Sequence, residues 1–294
     1  MNRVRKQIHY SRAEKEQLTG YHIGVGVLDS GIFPHEDLKD QIRAFRDFTN
    51  KYQLPYDETG HGTHVCGILA GNGRVLHGKY KGMAPCCDLY VGKILNKRGE
   101  GSLKTLLRGL QWLLSIAESC NIRVINISVS SIASARPEEQ RKLYELFQYA
   151  YENNILIVTA AGNFGPGDNT ISRLGDTPYV ICVGCHDGDL ENGGLRCQDC
   201  SGRGPGENVW KKPDVVAPGT QIISCQAAYG KYVARSGTSM ATPIVSGLLA
   251  LAREKYPYLN AMQLKRKLIL SATDLGESYL MQGAGMVDVE KMLS

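Results

Sequence analysis

Three side chains of complementary chemistry stand far apart in this chain of 294 residues: Asp29, His61 and Ser239. A serine hydroxyl is a poor nucleophile at neutral pH. It needs a histidine to take its proton, and that histidine needs a carboxylate to hold the right tautomer and orientation. Asp29 closes a short buried apolar run, 23–28, immediately before the turn signal Ser30-Gly31. His61 stands at the polar threshold of the apolar helical segment 60–70. Ser239 lies among small residues that lead into the apolar run 247–252, at the N-terminus of a helix, where developing negative charge is favoured. Pro243 is expected near that helix's first turn, where no amide hydrogen bond is lost.

Two other readings of the same segments are weaker. His61 and His64 are three residues apart and can share a helix face as metal ligands, but no Glu stands between them and no second ligand group follows at a zinc-protease spacing. His64 is expected instead as a packed, hydrogen-bonded core residue. Gly24-x-Gly26-x-x-Asp29 resembles part of a dinucleotide fingerprint, yet the last glycine is missing and the glycines precede the strand's end.

The elements that must bring the three residues together can be read from apolar patterning. Strands are expected at 23–28, 88–94, 124–129, 155–160, 180–184 and 215–217, and helices at 102–120, 137–153 and 260–270. Strands alternating with crossover helices imply an α/β fold, a three-layer arrangement with a mostly parallel sheet and helices on both faces. Functional groups in such a fold gather at the strands' C-terminal ends. No internal repeat or long linker interrupts the pattern, so residues 1–20 read as a short N-terminal extension and 21–294 as one domain.

Composition narrows the function further. With 43% hydrophobic and 21% charged residues the chain is neither disordered nor fibrous. Its net charge of +5 is scattered, the densest group being Lys265-Arg266-Lys267, with no basic stripe interleaved with aromatics, so nucleic acid is not an expected partner. No apolar run reaches the roughly 18 residues of a membrane span, and the charged first 20 residues do not form a signal peptide. Nine cysteines, an odd number with several inside apolar runs, point to a reducing cytoplasm.

Four blocks in order then carry a specific resemblance: Asp29-Ser30-Gly31, GHGTHVCG at 60–67, AAGN at 160–163 and GTSMATP at 237–243. They resemble the signature blocks of the subtilisin-like serine proteases, and the similarity runs from about residue 18 to 289. The resemblance implies a subtilisin-like fold and a serine endopeptidase acting on peptides or proteins. Asp29 would orient the imidazole, His61 would be general base and then general acid, and Ser239 would be the nucleophile. The side-chain amide of Asn163 would complete the oxyanion hole. The complete set argues against a catalytically dead scaffold used for binding, which needs none of these reactive groups.

The resemblance also implies that substrate pairs its backbone with Ser128-Val129-Ser130 on one side and with the segment 97–101 on the other, with Gly162 beside the bound peptide. Here Ser130 and Ser131 stand where the family usually has two glycines, a change that either narrows the primary pocket or only alters a loop. Asp168 and Glu100 are candidates for favouring basic substrate side chains. No cofactor is implied for the chemistry. Calcium is implied as a structural ion, with Asp37 and Asn72 as ligands, although Arg74 and Lys79 bring positive charge to that loop. The two pairs Cys182-x-x-Cys185 and Cys197-x-x-Cys200 have a zinc-ribbon spacing. The strand position of the first pair turns its side chains to opposite faces, so isolated thiols are expected.

Overall fold

The computed structural model describes residues 1–50, 52–129, 136–188, 196–207 and 210–294. Nine strands are described: β1 (Gly24–Asp29), β2 (Ile42–Asp47), β3 (Asp88–Lys93), β4 (Ile122–Ile127), β5 (Leu156–Ala160), β6 (Val180–Cys185), β7 (Val215–Ala217), β8 (Ile222–Cys225) and β9 (Tyr232–Arg235). The helices are α1 (Asn2–Gln7), α2 (Ser11–Lys15), α3 (His61–Ala70), α4 (Leu103–Ile116), α5 (Pro137–Glu152), α6 (Cys197–Cys200), α7 (Thr238–Lys255), α8 (Ala261–Ser271), α9 (Tyr279–Gln282) and α10 (Val289–Met292). The first seven strands form one sheet in the order β2-β3-β1-β4-β5-β6-β7, with parallel pairing throughout, while β8 and β9 form a separate antiparallel hairpin.

Alternation along the central strands divides the core in two. Val124 of β4 and Leu156 and Val158 of β5 face the layer that contains α3 and α7, whereas Ile125, Ile127, Ile155 and Ile157 face α4 and α5. Burial on both faces is why these strands read as continuous apolar runs. The helix over the second face is set by its sequence: Ser102 accepts from the Thr105 amide and Thr105 reaches back, a capping box, and the leucine stripe of α4 packs inward. At the strand ends, β1 lies between β3 and β4, so the chain leaves β1 toward α3 at a point where strand order reverses.

Residues 1–20 pack against the domain: Val4, Ile8, Tyr10 and Ala13 belong to the same core cluster as α3 and α7. Their spacing buries one face of two short helices, and the Val289 amide donates to the Ile8 carbonyl at 2.8 Å. Pro243 is the sixth residue of α7, beyond the first turn. Its missing N–H leaves the Ser239 carbonyl without its intrahelical donor.

One buried cluster of charges in the core is paired internally. Asp214, just before β7, accepts from Lys212 Nζ at 2.6 Å and stands 3.3 Å from Lys265 Nζ, and both ammoniums also donate to the Val180 carbonyl. Burial alone would raise the Asp214 pKa, but the two lysines outweigh it and hold the carboxyl below its ordinary range.

Candidate active site

Asp29 is the last residue of β1 and is fully buried. Its Oδ1 accepts from the Ser30 amide at 2.7 Å and from His61 Nδ1 at 2.7 Å. With Nδ1 donating to the carboxylate, the imidazole presents Nε2 as its basic nitrogen. Burial opposes charging of the ring, but the field of Asp29 and its hydrogen bond prevail, so the His61 pKa lies above that of an ordinary histidine. The close approach of α3 to the end of β1 requires a bare α-carbon at Gly62, where an added side chain would collide with the Gly31 carbonyl.

A buried carboxylate that sequence reasoning did not single out ties the two elements together. Asp57 Oδ1 accepts from Ser30 Oγ at 2.8 Å and from the Gly60 amide at 2.9 Å. Its Oδ2 accepts from the amide and hydroxyl of Thr63 at 2.8 and 2.7 Å. Ser30 Oγ in turn accepts from the Gly62 amide at 2.9 Å. Asp57 therefore joins the residue after Asp29 to the first turn of the histidine helix, where negative charge is also favoured by the helix dipole. The sequence signal was available: an Asp four residues before a histidine at a helix start. Asp57→Asn keeps the shape but loses charge and acceptor capacity. It is expected to lower kcat on the order of 10-fold, a fraction of the ~10²-fold that a 1 Å misplacement can cost. Steady-state kinetics should show this with KM little changed.

His64, one turn further along α3, has the packed role expected of it. Its Nε2 lies 3.0 Å from both the Ile222 and Val233 carbonyls, which fastens α3 to the β8–β9 hairpin. Burial lowers its pKa to about 3, so the ring is neutral.

Ser239 is the second residue of α7, and its Oγ donates to the Ser128 carbonyl at 2.8 Å. Ser128 follows β4, and its hydroxyl accepts from Asn126 Nδ2 at 2.9 Å. Asn126 Oδ1 accepts from Ser246 Oγ at 2.8 Å, so a polar chain fixes α7 to the end of β4. Asn163 sits in the loop after β5. Its Oδ1 accepts from both the amide and the hydroxyl of Thr238 at 3.1 Å. That pairing commits the oxygen and leaves the amide Nδ2 without a protein acceptor among the described residues. Gly237, at φ 138°, lets the Asn163 side chain pack against the backbone just before Ser239.

The remaining expectations divide. Val129 is buried two residues beyond the end of β4, while Ser130 and Ser131 lie outside the described residues. The Gly162 carbonyl accepts from the Gly202 amide at 2.8 Å, and its φ of 96° makes the turn that leads into Asn163. Asp168 is exposed, and the Glu100 carboxylate accepts from Asn96 Nδ2 at 3.2 Å within its own loop.

Asp37 and Asn72 do not fit a calcium ion. The Asp37 oxygens accept from the Val75 amide at 2.9 Å and from the Tyr232 hydroxyl at 2.6 Å. Asn72 Oδ1 accepts from the Arg74 amide at 2.9 Å. The buried atom left without a partner is Asn72 Nδ2, a donor, which a cation repels. Chelator is therefore expected to leave the melting temperature unchanged, within about 1 °C, by calorimetry; a fall of several degrees, about what 1 kcal/mol of lost binding produces in a domain of this size, would mean that the ion is bound.

The cysteines also differ from expectation. Cys185 and Cys197 form a disulfide with a Cα–Cα distance of 5.7 Å, one residue from each C-x-x-C pair. The short helix α6 turns Cys197 back onto the end of β6, a contact that strand parity alone does not reveal. The other seven cysteines are free thiols, with Cys66, Cys87, Cys182 and Cys225 buried.

A model of the subtilase family matches residues 20–287. The serine protease AprX of Bacillus subtilis is 35% identical over 94% of this chain and 67% of its own length. An intracellular serine protease of Paenibacillus polymyxa is 33% identical over 92% of this chain and 80% of its own. Among solved structures, Sphericase superposes with a TM-score of 0.80 at 30% identity, covering 92% of each chain. The fold is accordingly subtilisin-like, and the chain belongs to the subtilase family of serine proteases.

Proposed function

We propose that this protein is a serine endopeptidase working through Asp29, His61 and Ser239 and an acyl-enzyme intermediate. The observation that carries the reading is the 2.7 Å bond from His61 Nδ1 to the buried Asp29. It supplies an oriented base with a raised pKa at the mouth of a sheet whose next strand end holds Ser239 in reach of Ser128. The reading requires Ser239 Oγ to leave the Ser128 carbonyl for His61 Nε2, which frees that carbonyl to accept a substrate backbone N–H. Attack on the scissile carbonyl moves the serine proton to His61, and the oxyanion is met by Asn163 Nδ2 and the Ser239 amide at the start of α7. His61 then protonates the leaving amine. Water repeats the sequence on the ester and frees Ser239.

Labelling with a serine-directed phosphonate tests this reading. Modification of Ser239 that is lost in His61→Ala supports hydrolysis; a folded protein that resists labelling points to a binding scaffold. The pH profile provides a second measure. His61 must be neutral to accept a proton, so its raised pKa places the acid limb of kcat/KM above that of an ordinary histidine. Asp29→Ala is expected to move that limb to lower pH. The same pair adds folding stability that is complete below the unfolded histidine's pKa and is lost as pH rises through the folded value.

An intracellular site of action belongs to the same proposal. It is supported by the seven free thiols and by similarity to a protease described as intracellular. The Cys185–Cys197 disulfide is the feature that opposes it. No helix among the described residues is long and apolar enough to cross a membrane. For the primary pocket, a preference for basic side chains through Asp168 or Glu100 remains part of the proposal; equal cleavage after Phe or Leu and after Arg or Lys would remove it.

A further inference from the structure

Arg235 ends β9 beside the histidine and is not used by the mechanism above. Its Nη2 donates to the Thr59 carbonyl at 2.9 Å, two residues before His61, and the guanidinium packs over the bare α-carbon of Gly60. Its Nε is buried and has no acceptor. Among the described residues no carboxylate forms an ion pair with it. Asp57, the nearby candidate, already accepts from Ser30, Gly60 and Thr63, and Asp29 accepts from Ser30 and His61. The charge has a cost in this place, because it opposes protonation of His61. A partly desolvated guanidinium with an unused donor, held beside a general base whose protonated form it disfavours, is a site for an anion that arrives with the substrate.

The direction of the bound peptide limits which part of the substrate that is. The acyl half is expected along Ser128-Val129, and the bond to be cut lies between Ser239 and His61. A peptide continuing past His61, whose Nε2 protonates the leaving amine, passes next over Thr59, Gly60 and the end of β9. We infer that Arg235 recognises a carboxylate in the leaving-group half of the substrate, within the first two residues after the scissile bond. The carboxylate is either an Asp or Glu side chain or the free C-terminus of a short leaving peptide. This deepens the proposed endopeptidase reading and rests on it.

The test uses quenched fluorescent peptides with one acyl half and leaving halves carrying Asp, Glu, Asn or Gln at the first or second position, each made as the free acid and as the C-terminal amide. Acidic side chains in the amidated series are expected to raise kcat/KM about 10-fold over their neutral isosteres, a gain that shrinks as salt is increased. Arg235→Gln should bring that ratio close to one, and Arg235→Lys should keep part of it because the charge remains but the planar fork does not. If only the free-acid series discriminates, the recognised group is the C-terminus. Equal rates for acidic and neutral peptides in the unaltered protein, or an equal loss on both in Arg235→Gln, would overturn the inference and leave Arg235 as a brace on Thr59. Binding of the acidic and neutral leaving-half peptides to the Ser239→Ala protein, read by calorimetry, separates the two levels. A lost preference there counts against Arg235, whereas failure of Ser239 to label with phosphonate counts against the endopeptidase.

Discussion

Replacing Ser239 by alanine is expected to lower kcat for peptide hydrolysis on the order of 10⁶-fold, and His61→Ala is expected to match it, magnitudes measured in a member of the same family. The reason for the equality is chemical. Without the hydroxyl no acyl-enzyme forms, and without the imidazole the hydroxyl keeps its proton, so each change removes the same pathway. The double variant should therefore be no worse than either single one. Asp29→Asn should cost less, on the order of 10⁴-fold, because the base remains but its tautomer is no longer enforced. These losses are separable from unfolding. In the folded protein Ser239 Oγ makes one hydrogen bond, to Ser128, worth about 1 kcal/mol, so Ser239→Ala should unfold at nearly the same temperature as the unaltered chain. Asp29 is different: its Oδ2 is buried without a donor, and an amide there places an N–H₂ or an oxygen in a dry pocket. A kcat that survived Ser239→Ala would assign the reaction to other residues.

Much of this arrangement was legible in the sequence, for reasons that can be stated residue by residue. Asp29, His61 and Ser239 each sit beside an apolar run, and a buried parallel strand or a helix start leaves little choice about where the polar residue goes. The central strands were visible for the same reason. The edge strand β2 was not, since its half-exposed Ile-Arg-Ala-Phe-Arg-Asp alternates weakly and packs on one side only. The β8–β9 hairpin was missed because it stands outside the main sheet and Tyr232–Arg235 buries none of its residues, so it carries no apolar run. That omission hid Arg235, whose meaning depends on what lies across from it. Asp57 had a local signal, its place four residues before a histidine at a helix start, and three of its four hydrogen bonds are to Gly60 and Thr63 nearby; only the bond from Ser30, which ties it to the end of β1, has no local signature. The poor fit of Asp37 and Asn72 to calcium was out of view for a related reason. Asp37 is in the expected place along the chain, but Tyr232, almost two hundred residues away, occupies one of its oxygens.

Asn163→Ala is expected to lower kcat by about 10²- to 10³-fold with KM nearly unchanged, a magnitude known for the corresponding donor in the same family. The split follows from when the interaction forms. In the ground state the substrate carbonyl is neutral and trigonal and gains little from a donor placed where the tetrahedral oxygen will be, so binding is barely affected. In the transition state the charge on that oxygen meets Nδ2 in a site that needs no reorganisation, because Thr238 already holds the other end of the amide through two bonds of 3.1 Å. Thr238 sits next to Ser239 on the same helix, so the donor and the nucleophile are positioned by one element. Two variants check that argument. Asn163→Asp keeps the shape but replaces the donor with a negative charge and should be at least as impaired as alanine. Thr238→Val removes only the hydroxyl half of the anchor and should show a smaller kcat loss, about 10-fold, while the backbone amide bond persists. If Asn163→Ala instead raised KM at constant kcat, the side chain would be a substrate-binding group and the oxyanion would have to be held by the Ser239 amide and the N-terminus of α7 alone.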